Sequence, residues 1–169
     1  MTPIRMFAAP ALLAVALASG GGLARAHDMG RPNMGDHGHG HETFDAGEPG
    51  SVKKPSRRVE IVAREQDGKM WFSPDRVEVK VGEQIEFVVK NEGELEHEFV
   101  VGSRIENAAH AKMMQAMPDM QHTDPNAVRV APGKTERLVW KFSKPGSFEF
   151  ACLVPGHYEA GMKGRIMVR

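Results

Sequence analysis

The run CLVPGHYEAGM, residues 152–162, spaces Cys152, His157 and Met162 as Cys-x4-His-x4-Met. Cys152 is the only cysteine of the 169-residue chain, so it has no intrachain disulfide partner. A thiolate, an imidazole and a thioether on one short loop make a soft donor set. Soft sulfur holds Cu(I), and imidazole suits both oxidation states. Two imidazoles and a thiolate with a weak axial thioether suit one-electron transfer. The loop therefore calls for one more imidazole. His97, in ELEHEFVVG (94–102), begins a strand-like run, whereas His110 and His122 stand in polar or helical text. Two readings compete with copper. Cys152 could be an inert buried thiol beside an incidental His157 and Met162, or Cys and His could hold zinc, for which methionine is a poor ligand.

Outward from this loop, the text on both sides is strand text. SFEFAC (147–152) leads in and GRIMVR (164–169) leads out. Upstream lie VEIVA (59–63), KMWF (69–72), RVEVKV (76–81), QIEFVVK (84–90), HEFVV (97–101), AVRVA (127–131) and TERLVWKF (135–142). Asp67-Gly68, Ser73-Pro74, Gly82, Asn91, Gly93, Pro132-Gly133 and Pro145-Gly146 punctuate them. β-branched and aromatic runs separated by turn residues at this spacing predict an all-β sandwich of about eight strands. Alternation lapses between Ile105 and Met120, where Ala, Lys, Gln and Met favour a helix that Pro118 should end. The prediction is one short helix inserted between strands. Cys152 would end one strand and His97 begin another, so the ligands meet at one end of the sandwich. Phe99, Phe148, Phe150 and Pro155 would wall the site off from water.

The first 26 residues have a different texture. Arg5 precedes an apolar run from Phe7 to Ala18, and Ala24-Arg25-Ala26 is a small-x-small cleavage pattern. This reads as a signal peptide whose apolar run is too short to span a bilayer. The expectation is an exported protein, periplasmic in a Gram-negative host, with no membrane insertion after cleavage. Basic and acidic residues number 22 each, and losing Arg5 and Arg25 leaves the mature chain at about −2, which gives no sign of nucleic-acid binding. Residues 27–56 are rich in Gly, Pro, Asp and His, and predict a flexible tail ahead of a folded domain at 57–169.

The region from about Arg57 to Arg169 resembles the cupredoxins, the small blue-copper proteins. An isolated His, some fifty residues, a strand ending in Cys, x4-His-x4-Met and a Gly-containing last strand carry the resemblance. The Cys-to-His gap is like that of azurin, and GHYEAGMKG looks like plastocyanin-type loops. The resemblance implies a Greek-key sandwich with one type 1-like copper site, His97, Cys152 and His157 being equatorial and Met162 axial. The lack of a second loop cysteine argues against a binuclear centre. One departure stands out: many cupredoxins follow the first His with Asn, and here Glu98 follows His97.

Two further segments carry soft-metal ligands. HAKMMQAMPDMQH (110–122) contains His110, Met113, Met114, Met117, Met120 and His122. Thioethers without thiolates prefer Cu(I), although methionines at helical spacing more often fill a core. The tail contains His37, His39 and His41, with His27, Met29 and Met34 upstream, and short His-rich tracts chelate metal. Both segments are candidate additional copper sites. A dedicated one-electron carrier between respiratory proteins has no use for them, whereas a copper-handling protein has. The expected function is therefore copper tolerance, with copper ions as ligand and a redox protein or copper-export component as possible partner. The electron carrier is the alternative. Oxidase chemistry needs paired His-x-His motifs within cupredoxin domains, and the only such pattern lies in the tail, so no enzymatic activity is expected.

Overall fold

The computed structural model describes residues 44–54, 56–117 and 123–169. The expected signal peptide, the tail histidines, Met120 and His122 lie outside the described residues. Ten strands and one helix follow in order. They are β1 (Glu48–Pro49), β2 (Arg57–Gln66), β3 (Lys69–Ser73), β4 (Arg76–Val79), β5 (Gln84–Asn91), β6 (His97–Gly102), α1 (Arg104–Ala116), β7 (Ala127–Val130), β8 (Thr135–Lys141), β9 (Gly146–Ala151) and β10 (Lys163–Val168). One sheet has the order β1-β8-β5-β2-β3 and the other β4-β10-β9-β6-β7. The all-β sandwich with one inserted helix is therefore as expected.

Alternation builds the core. In β5, Ile85, Phe87 and Val89 are fully buried, and in β9 Phe148 and Phe150 are buried on either side of the more exposed Glu149. Phe72, Phe99 and Phe150 meet pairwise with ring centroids 5.1–5.6 Å apart, joining the two sheets beneath the ligand-bearing strands. Such aromatic pairs contribute about 0.5–1.5 kcal/mol each beyond their area. β6 and β9 are antiparallel neighbours with Val100 opposite Ala151, which sets His97 and Cys152 at one end of the same sheet.

The helix falls where it was expected. It starts after Ser103, whose hydroxyl accepts the Glu106 N–H at 3.2 Å while the Glu106 carboxylate accepts the Ser103 N–H at 2.7 Å. It ends at Ala116, and Met117 has already left helical geometry (φ −138°, ψ 67°). Pro118 explains the stop, because its ring disfavours the helical conformation in the residue before it.

Part of the segment expected as a tail, residues 44–54, packs on the sandwich. Residues 44–54 belong to the folded unit, and β1 is the strand that composition did not announce. The Phe44 ring packs edge-on against Trp140 at 5.3 Å, Ala46 is fully buried, and its carbonyl accepts from Trp140 Nε1 at 3.3 Å. At Gly47 (φ +134°) a Cβ would lie 2.0 Å from the Lys141 carbonyl oxygen, so only glycine fits. Polar bonds help to hold this strap, among them Gly50 N–H to the Val139 carbonyl and Ser51 N–H to Gln84 Oε1, and its two apolar contact residues, Phe44 and Ala46, are too few to register in a compositional reading.

Candidate metal centre

The loop before His97 is fixed by one buried amide. Asn91, at the end of β5, is fully buried. Its Nδ2 donates to the carbonyls of Leu95 (2.7 Å) and Val130 (2.9 Å), and its Oδ1 accepts the Gly93 N–H at 2.8 Å. The 92–96 loop is thereby pinned, and His97 enters β6 in one register.

The second loop closes on itself. Cys152 N–H donates to the Met162 carbonyl, Met162 N–H to the His157 carbonyl and His157 N–H to the Val154 carbonyl, each at 3.0 Å. Gly156 (φ +88°) and Gly161 (φ +108°) take the left-handed turns that this closure requires. The loop is also tied to β3, with Met70 N–H donating to the Ala160 carbonyl at 3.1 Å.

These constraints bring three donors together. His97 Nδ1 lies 3.2 Å from His157 Nδ1, and Cys152 Sγ lies 3.3 Å from the same His157 nitrogen. One ligand atom from each of the three residues falls within 4.8 Å of the others. Metal bonds of about 2.0–2.3 Å place donors of a trigonal set about 3.5 Å apart, so the cluster has the size of a one-ion site. His97, Cys152 and Met162 are at most 1% exposed, and His157 reaches 9%. Met162 packs in the same core cluster as Cys152.

Electrostatics favour neutral donors in the metal-free protein. Burial pushes the Cys152 thiol up to about 12, against smaller opposing effects of the N–H groups of Glu98 and Val154. Burial lowers His157, and burial followed by the charge of His157 lowers His97. A cation entering here meets two neutral rings and a protonated thiol, and must displace that proton. The Glu98 departure is resolved by the backbone, since Glu98 N–H faces Cys152 Sγ at 3.3 Å. A backbone donor serves whatever the side chain, and the Glu98 carboxylate is 3.8 Å from Arg129 Nε.

Of the other expected ligands, His110 lies on α1 with Nδ1 3.5 Å from Asp124 Oδ2. Met113 is exposed beside it, and both line one surface recess with Asp124. Met117 follows at the helix end, also exposed, while Met114 is buried. Sequence reading missed Glu65, whose carboxylate lies 3.5 Å from His97 Nε2, and the structural part of Asn91. Neither has a local signal. Glu65 is 32 residues from His97 in a strand of exposed charges, and Asn91 reads as an ordinary turn residue.

Comparison with known proteins agrees with this geometry. The profile of the copper binding proteins, plastocyanin/azurin family, matches residues 59–169. The copper-resistant cuproprotein CopI of Rubrivivax gelatinosus is 48% identical over 162 residues, covering 95% of this chain and 96% of that protein. CopI of Vibrio cholerae is 37% identical over 161 residues, covering 89% and 94%. Among solved structures, auracyanin B superposes with a TM-score of 0.61 at 24% identity, over 73% of this chain and 96% of its own. Auracyanin A, a "blue" copper protein from Chloroflexus aurantiacus, gives 0.56 at 21% identity, over 68% and 100%. The two auracyanins speak for the fold alone. With a donor cluster sized for one ion, a cupredoxin sandwich around it and a family match across two thirds of its length, this chain belongs to the plastocyanin/azurin family of copper-binding proteins.

Proposed function

We propose that this protein is an exported, periplasmic copper-tolerance cupredoxin that binds copper rather than turning over a substrate. Its main site is a type 1-like centre with His97, Cys152 and His157 equatorial and Met162 axial. The observation that carries this reading is the buried three-donor cluster, with one donor atom each from His97, Cys152 and His157 within 4.8 Å of one another. Copper held by such a set changes oxidation state with little ligand movement. The chain's part is rigidity: Asn91 fixes His97, and the self-closed 152–162 loop fixes the other three side chains.

Copper handling is favoured over a dedicated electron carrier by two things. The relatives of highest identity given above are named as copper-resistant, and the exposed Met113 and Met117, with the partly buried His110 on the same helix, offer soft ligands outside the main site. In the proposed organisation residues 1–26 are a signal peptide, the His-rich tail runs to about residue 43, and the folded domain begins at Phe44.

The test is titration of the mature protein with Cu(II) and Cu(I), followed by absorption and paramagnetic resonance, for wild type, Cys152→Ser, and a Met113→Leu/Met117→Leu pair. Wild type should show an intense thiolate-to-copper band that Cys152→Ser abolishes. The double variant should keep the band and lose Cu(I) capacity. Persistence of the band in Cys152→Ser would sink the ligand assignment. Full copper tolerance in a host strain that produces only Cys152→Ser would return the function to another component.

A further inference from the structure

His97 has two ring nitrogens, and they face different neighbours. Nδ1 faces His157 within the donor cluster, whereas Nε2 faces the Oε1 of Glu65 at 3.5 Å. No hydrogen bond of ordinary geometry reaches Nε2, although the ring is 1% exposed. Glu65 itself is held firmly. The same Oε1 accepts the N–H groups of Glu94 at 2.7 Å and Leu95 at 2.9 Å, the residues leading into His97. Space for it is made by Gly93, where a Cβ would lie 2.1 Å from Oε1. A carboxylate is thus fastened behind one imidazole of the cluster by the backbone of that imidazole's own loop.

We propose that Glu65 is a positioning residue of the copper centre: it holds His97 as the Nε2–H tautomer, aims Nδ1 at the metal, and by its negative charge favours Cu(II) over Cu(I). This rests on the copper-site reading above. A metal-bound imidazole whose other N–H meets a carboxylate is fixed in tautomer and orientation and becomes a stronger donor. The added electron density stabilises the higher charge more than the lower. Burial pushes the Glu65 carboxyl up, but the Leu95 and Glu94 N–H groups and His97 outweigh it and hold it below the ordinary carboxylate value.

Glu65→Gln tests this, because glutamine keeps an oxygen for the two amides but carries no charge. Removing an outer partner of this kind typically costs about 10–100-fold in metal affinity. The expected result is a Cu(II) affinity about tenfold weaker with Cu(I) affinity unchanged. That corresponds to a reduction potential raised by about 59 mV for one electron. Nitrogen-15 spectra of the metal-free protein should show His97 protonated on Nε2 in wild type and that preference lost in Glu65→Gln. Gly93→Ala displaces the carboxylate without changing charge, and should raise the potential as well. It reads the same effect should the glutamine variant fold poorly. An unchanged or lowered potential in both variants, or a wild-type His97 protonated on Nδ1, overturns the proposal. If wild type shows no thiolate-to-copper band, the copper-site reading fails instead, and the metal-free tautomer still decides what Glu65 does to His97.

Discussion

Cys152 and the two clustered histidines set the chemistry by staying neutral. The thiol at about 12 remains protonated across ordinary pH, while His97 and His157, both lowered, are deprotonated above their usual value of about 6.5. Copper binding between pH 7 and 9 should therefore release one proton, and Cu(II) affinity should rise about tenfold per pH unit, measured by competition with a chelator of known pH dependence. The histidines give a second pH effect, on the metal-free fold. Their depressed values mean that the unfolded chain takes up protons that the folded one does not, so folded stability falls as pH drops below about 6.5. Melting curves of metal-free protein at pH 7 and pH 5 check this, the lower pH giving the lower midpoint. Met162→Leu should keep copper bound and raise the potential, since losing a thioether in a dry site favours Cu(I). A lowered potential would argue against Met162 as axial ligand.

The elements that matter are two loops, each held by its own hydrogen bonds. Asn91→Ala removes two donors and an acceptor from a fully buried position, leaving the Leu95 and Val130 carbonyls and the Gly93 N–H short of partners. Unsatisfied buried groups cost about 1–3 kcal/mol each, so chemical denaturation should show a loss of at least about 2 kcal/mol, with faster copper release. Ser103→Ala, at the cap of α1, should cost about 1 kcal/mol and leave the copper spectrum unchanged. The strands and the 152–162 loop were readable because their signals are local: alternation, turn residues and the Cys-x4-His-x4-Met spacing. His97 was readable because it opens an apolar run. Glu65 was not, because what makes it special is the arrival of Gly93, Glu94 and Leu95 at its carboxylate, a tertiary event between β2 and the loop before β6. The helix end was readable to within one residue, because Pro118 also restricts the residue before it.

At the scale of the whole molecule, the N-terminal strap decides where the domain begins. Phe44 and Ala46 pack on Trp140, and β1 adds to the edge of β8. Deleting residues 27–43 should leave the melting temperature of the metal-free protein nearly unchanged, whereas deleting 27–56 should lower it clearly. Burying a Phe side chain alone contributes about 1.5–3 kcal/mol. Equal midpoints for the two truncations would place the boundary back at Arg57. No helix among the described residues is long and apolar enough to cross a membrane.

The sealed position of Cys152 has an effect on the protein before any copper arrives. Thiol oxidation and disulfide exchange proceed through an accessible thiolate, and this sulfur is neither accessible nor ionised. In an oxidising compartment the metal-free protein would resist crosslinking to other chains and attack by peroxide at this thiol. A thiol-reactive dye should modify the native metal-free protein far more slowly than the denatured one. The dry packing of Phe99, Phe150 and Met162 in the same core cluster as Cys152 keeps the single thiol intact until a metal arrives.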